Sequence, residues 1–188
     1  DNVVHVDGSV NPIRDKEIID TELQLKDLET VETRLPKVEK AAKSGGDRDS
    51  KVLLDILLRY KAALEQGKSA RTITFESKEE VKLAKELCLL TAKPVLYVCN
   101  VDEASAKSGN QYTEQVEKIA KEESAEILIV AAKIESDIAE FETLEEKQMF
   151  LEELGLKESG VARLIKSSYR LLNLQTFLTA GVQEVRAW

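Results

Sequence analysis

Residues 94–103 read Pro94-Val95-Leu96-Tyr97-Val98-Cys99-Asn100-Val101-Asp102-Glu103, and residues 126–133 read Glu126-Ile127-Leu128-Ile129-Val130-Ala131-Ala132-Lys133. Each is a continuous apolar run of strand length that ends in a short polar stretch. Strands of parallel sheets, buried on both faces, have this form. Between the two runs, Gln111 to Glu122 has helical spacing, so the order is strand, helix, strand. That order predicts a parallel sheet with helices on its faces. Ligands of such sheets bind where loops leave the carboxyl ends of the strands. Asn100-Val101-Asp102-Glu103 and Ala131-Ala132-Lys133 are therefore the candidate binding loops.

Outward from this centre, Glu79 to Leu90 reads as a helix, with Val81, Leu83, Ala84, Leu87 and Leu90 apolar, and Leu144–Leu154 and Val161–Leu172 read as amphipathic helices. Two short strands, Thr176–Thr179 and Val182–Trp188, are expected around Gly181. Upstream, Asn11-Pro12 is a helix start, because Asn caps and Pro suits the first helical position. Leu28, Val31, Leu35, Val38 and Ala42 form one heptad seam, and Leu53, Ile56, Tyr60 and Ala63 form a second. Gly45 and Gly46 between them allow a turn, with Asp47 to cap the next helix. The expectation is an antiparallel hairpin whose first arm continues the helix from Pro12, with Ile18 and Leu25 extending the stripe. Pro36 should kink or break that arm.

The 188 residues carry 43% hydrophobic and 33% charged residues, a composition that supports a folded core and argues against disorder. One histidine and two cysteines exclude a Cys/His zinc site and a disulfide scaffold. With no long apolar run, the expectation is a cytoplasmic protein without a membrane span. Strand-like runs at both ends, and no initiator methionine, read as an excerpt of a longer protein. The net charge of −8 disfavours a general nucleic-acid surface or DNA specificity, but it is uneven: residues 34–71 carry +5 and the remainder −13. A polyanion could meet Lys40, Lys43 and Lys51 on the hairpin; the competing reading is a solvated helical face. His5 and Cys88 read as structural residues, and nothing near Cys99 lowers its pKa.

The two loops are similar to the strand-ending NKxD and SAK stretches with which Ras-like GTPases recognise guanine. Guanine presents two adjacent donors that an ionised Asp accepts together; here Glu103, one methylene longer, takes that place. Adenine offers one donor and one acceptor, so a carboxylate aimed at it leaves lone pairs opposed. Val101 replaces the lysine whose stem covers the base. The guanine preference should be relaxed or reversed. Asp102 stands one position early and should point elsewhere.

Nearly the whole chain resembles the YchF or Obg-like ATPases. The resemblance rests on Asn2-Val3-Val4-His5-Val6 with Val10-Asn11-Pro12, Thr21-Glu22-Leu23, Leu25-Lys26-Asp27-Leu28, Lys93-Pro94, Asn100-Val101-Asp102-Glu103, Ala132-Lys133-Ile134-Glu135, Leu171–Phe177, Thr179-Ala180-Gly181 and Glu184–Trp188. It implies an α/β fold with a Ras-like P-loop NTPase-type parallel sheet, helices on both faces, and an antiparallel coiled-coil insertion. Residues 1–27 and 72–188 would form part of the nucleotide-binding, G-domain-like body, and residues 28–71 the insertion. It further implies ATP, with GTP less favoured, bound with Mg2+ in the intact protein, and association with ribosomes or ribosomal RNA. Asn100, Val101 and Glu103 would meet the base, with Ala131, Ala132 and Lys133 as the second loop; the family usually has a small polar residue where Ala131 stands. The glycine-rich phosphate loop and metal ligands would precede Asp1, and a TGS domain would follow Trp188. No GxxxxGK[ST] occurs in the chain. Catalytic residues and Mg2+ ligands are then expected elsewhere, and this chain alone should be inactive. The alternative is a non-catalytic module that binds RNA or protein through the basic hairpin.

Overall fold

The computed structural model describes residues 8–45 and 48–188; the strand expected at Asn2–Val6, with His5, and the Asp47 cap lie outside the described residues. The chain divides into two compact units, one ending at Pro94 and the other beginning at Val95, each with its own core.

The first unit is helical. Helix α1 (Pro12–Lys43) starts as expected, with the Asn11 side chain accepting from the Arg14 amide at 3.2 Å. Helix α2 (Arg48–Glu65) runs back along it: Lys61 pairs with Glu32 at 2.9 Å, and further back Gln24 donates to Ser69 at 3.3 Å. Val31, Ile56 and Tyr60 are buried between the helices, with Leu28, Leu35, Val38 and Leu53 partly buried; Leu57 and Leu64 join this core from outside the expected seam.

Of the two outcomes expected at Pro36, a kink or a break, the break does not occur: α1 is continuous through it. Proline removes the bond to the Glu32 carbonyl, a defect costing about 3 kcal/mol in an isolated helix, but Leu35 and Val38 on either side are packed into the core and carry the helix through. Ile18 and Leu25 do not extend the buried stripe and are 46% and 61% exposed. The reason is length. At 1.5 Å per residue the 32 residues of α1 reach roughly 48 Å and the 18 of α2 roughly 27 Å. The first turns of α1 thus run beyond α2.

Helix α3 (Lys78–Glu86) opens with a capping box between Ser77 and Glu80. It stops at Glu86, short of the expected Leu90, because Leu87 caps it and Cys88 takes a left-handed φ of 53°. Leu87 and Leu89 are still buried, so the apolar pattern continues where the helix does not. Cys88 is exposed, not packed. The segment after α3 is held by Asp27 of α1, only 2% exposed, which accepts from the amides of Leu90 and Thr91 and from the Thr91 hydroxyl, all at 2.7 Å. The Thr91 hydroxyl also accepts from the Ala70 amide at 2.9 Å, so every partner at this buried node is satisfied.

The second unit is α/β. Strands β1 (Leu96–Asn100) and β2 (Glu126–Val130) pair in parallel, with Leu96 opposite Glu126 and Asn100 opposite Val130. Helix α4 (Gln111–Glu122) makes the crossover and is capped by Asn110 and Thr113. Gly109 must precede that cap: its φ is +74°, and a Cβ there would lie 2.3 Å from Thr113 Oγ1. The expectation of strands buried on both faces is met by neither: Val98 of β1 is 47% exposed, and in β2 only Leu128 is buried while its neighbours are half-buried. After β2 come α5 (Ala132–Glu140), which was not expected, α6 (Leu144–Glu153) and α7 (Gly160–Leu171). Ala106, Ala131, Ile134, Ile138 and Leu151 form the core. The last strands, β3 (Leu178–Ala180) and β4 (Val185–Ala187), are shorter than expected and pair antiparallel around Gly181. No helix among the described residues is long and apolar enough to cross a membrane.

Candidate functional site

The register of β1 and β2 places Asn100 and Val130 side by side, so both candidate loops leave the same edge of the sheet. Two hydrogen bonds then tie them together. The Val101 amide donates to the Val130 carbonyl at 2.8 Å, and the Ala132 amide donates to Asn100 Oδ1 at 2.9 Å. Val101 is half-buried against the core of Ala131, Ile134 and Ile138. Its apolar side chain anchors the first loop from below, while its carboxylate-bearing neighbours stay in solvent.

Asp102 and Glu103 divide the work of that first loop. Asp102 caps the turn Glu103–Ser105 by accepting from the Ser105 amide at 2.8 Å, and hydrogen bonding from Ser105, first from its side chain and then from its amide, holds the Asp102 carboxyl below the ordinary range. It is turned to its own backbone, as its position one residue early suggested. Glu103 is exposed.

The second loop is not a loop throughout. Ala131, buried, is the N-cap residue of α5 without a side-chain cap bond, and Ala132 and Lys133 already belong to the helix's first turn. Lys133 is exposed and pairs with Asp137 at 2.6 Å; this contact chiefly raises its pKa, with a smaller share from the charge of Glu103. The structure thus brings Asn100, Val101, Ala131 and Ala132 together by direct bonds and packing, and sets the charges of Glu103 and Lys133 within electrostatic reach.

Five residues behind the second loop, Glu135, Ser159, Gly160, Arg163 and Arg170, had no role assigned from sequence. Glu135 of α5 accepts from the amides of Gly160 at 2.6 Å and Val161 at 3.1 Å, the first two donors of α7. Ser159 accepts from the third, Ala162, at 3.1 Å, which leaves the start of α7 well satisfied. Gly160 has no room for a side chain: a Cβ would lie 2.8 Å from Glu135 Oε1 and 2.9 Å from Val130 Cγ1. Arg163 donates to the Ile129 carbonyl of β2 at 2.6 Å, and Arg170, two turns on, forms a two-pronged pair with Glu126 at 2.9 and 2.8 Å. Helix α7 is therefore clamped antiparallel along β2. The available signal was Ser159-Gly160 before an amphipathic run, and a carboxylate one turn past the second loop.

Burial pushes the Cys99 thiol up, so it is not an activated nucleophile. Among the described residues no three His, Cys, Asp or Glu side chains gather where a metal ion could sit. On the hairpin, Lys40, Lys43 and Lys51 are all exposed, and Lys43 also pairs with Glu39 at 2.6 Å.

No protein-family profile matches the chain. It is 53% identical over 190 residues to the ribosome-binding ATPase YchF of Bacillus subtilis (strain 168), covering all of this chain and 51% of that protein. It is 45% identical over 188 residues to the protein of the same name from Escherichia coli O157:H7, again covering 100% of this chain and 51% of that one. The Obg-like ATPase 1 of Rattus norvegicus is 34% identical, with 100% and 48% covered. Among solved structures, the YchF GTPase of Schizosaccharomyces pombe superposes with a TM-score of 0.83 at 32% identity, over 100% of this chain and 51% of that chain. The chain spans about half the length of the curated relatives it matches.

Proposed function

Because this chain belongs to the YchF and Obg-like ATPase family, we propose that it is the base-recognising half of a longer cytoplasmic protein that binds and hydrolyses ATP, with GTP less favoured, and associates with ribosomes. The observation that carries the proposal is the cross-tie between two loops at the ends of adjacent parallel strands, made by Asn100 Oδ1 and the Ala132 amide. It supports one shared edge, formed by both loops, at which a purine can be read.

In this reading the Asn100 amide spends its oxygen on Ala132 and offers its NH2 to a ring nitrogen of the base. The backbone of Val101 reads the adenine edge, Glu103 lines the pocket and disfavours guanine by its extra methylene, and Ala131, Ala132 and the stem of Lys133 form the opposite wall. Mg2+ accompanies the nucleotide and supplies charge at the phosphates; its ligands, with the phosphate loop, belong to other parts of the intact protein. By the family resemblance, residues 28–71, which hold the later part of α1 and all of α2, are assigned to a coiled-coil insertion, and residues 1–27 and 72–188 to the P-loop-type body.

The relatives' names divide between ATPase and GTPase, which makes base preference the property to measure. The purified 188-residue chain should show no nucleotide hydrolysis, because phosphoryl transfer depends on donors and a metal positioned at the phosphates. The intact protein should hydrolyse ATP faster than GTP. Turnover by the 188-residue chain, abolished by Glu103→Ala, would overturn this assignment. A purely non-catalytic interaction module would be indicated if the intact protein bound ribosomes but neither nucleotide.

A further inference from the structure

We propose that Glu135 is a positioning residue for the base pocket: through α7 it holds the second base loop in register with the first. The inference rests on reading the two loops as the base site. Glu135 lies within one turn of Ala132 and Lys133, on the helix whose first amide is bound by Asn100. Its two carboxylate oxygens are both committed to the amides of Gly160 and Val161. The partner helix is fixed independently, by Arg163 on the Ile129 carbonyl and by Arg170 on Glu126.

The first turn of α5 is therefore held at two points, by Asn100 at its start and by α7 at Glu135. Ala131, which opens the turn, has no side-chain cap of its own. A helix start without a cap is weakly defined by its own sequence, so the outside anchor determines where Ala132 and Lys133 stand. The fit at Gly160, where even a methyl group would meet both Glu135 and Val130, shows how close this support lies to the end of β2. Small displacements of a binding wall have large effects when the ligand's polar groups must match it.

The test uses the intact protein and two probes with Mg2+, ATP and inorganic tripolyphosphate, the second of which has no base. Glu135→Ala should weaken ATP roughly three- to tenfold and bring the ATP and GTP affinities closer together, while tripolyphosphate binding stays as in the wild type. Gly160→Ala should give the same pattern, and Glu135→Gln, which keeps one acceptor, an intermediate one; these two carry the test where Glu135→Ala does not fold. ATP affinity within twofold of wild type in all three variants would overturn the proposal. So would a parallel loss of ATP and tripolyphosphate, which marks a merely structural role. If the wild type binds ATP no better than tripolyphosphate, the base-site reading itself is wrong.

Discussion

The side-chain oxygen of Asn100 accepts a hydrogen bond from the backbone amide of Ala132 at 2.9 Å, across 32 residues of sequence. Because the acceptor is the oxygen, the NH2 is the end left to face a ligand. One side chain thus closes the gap between two strand-end loops and is itself oriented by doing so. Val101 repeats the link through its backbone at 2.8 Å, and its side chain joins the core that holds Ala131. The two loops have a common foundation before any ligand arrives.

The buried Asp27 node should be the most sensitive single position in the first unit. Asp27→Ala leaves the amides of Leu90 and Thr91 and the Thr91 hydroxyl without their acceptor. A buried donor left unmatched costs about 1–3 kcal/mol, so a loss of at least about 3 kcal/mol is expected in urea denaturation of the 188-residue chain. A change below about 1 kcal/mol would show that water replaces the carboxylate.

Asp102 gives a pH signature. Its carboxyl is held below its ordinary value by the Ser105 hydrogen bond, so the cap's contribution is fully present above the unfolded carboxyl value of about 3.9. It is lost as pH falls through the lower folded value. The Ser105 amide resonance should stay constant from pH 7 to about 4 and move only below that. A titration midpoint above about 4 contradicts the cap.

The basic hairpin, with a net charge of +5 over residues 34–71, is expected to meet a polyanion through Lys40, Lys43 and Lys51. Replacing all three with Glu leaves the core of Val31, Ile56 and Tyr60 untouched, so stability should shift by about 0.5 kcal/mol or less per site. Co-sedimentation of the intact protein with ribosomes should fall, and its salt dependence should become shallower as fewer counterions are released. Wild-type sedimentation at every salt concentration would leave this face merely solvated.

Much of the fold was legible because its signals were local. The apolar runs ending at Asn100 and Val130, the α4 span from Gln111 to Glu122, the Asn11-Pro12 start and the seam through Val31 and Ile56 were each set by neighbours in sequence. What escaped depended on distant partners. Pro36 is tolerated because Leu35 and Val38 beside it pack into the core with α2, and α3 ends early because Cys88 takes a left-handed φ while the apolar pattern runs on through the buried Leu87 and Leu89. Helix α5 was missed because its first residues, Ala132 and Lys133, were read as loop; Ile134 and Ile138, four apart and both buried, were the signal for it. The support of the site by Glu135, Gly160 and Arg163 spans 25 to 34 residues and leaves no periodic trace.

In the proposed purine site formed by Asn100–Glu103 and Ala131–Lys133, the side chains at 101 and 103 set the choice of base. Competition binding of ATP and GTP to the intact protein, wild type against Glu103→Asp combined with Val101→Lys, tests it most directly. The restored carboxylate facing two guanine donors is a charge-assisted contact worth roughly 1.5–3 kcal/mol, so the affinity ratio should move toward GTP by about ten- to a hundredfold. An unchanged ratio would contradict the account and assign base selection to the backbone of the two loops instead.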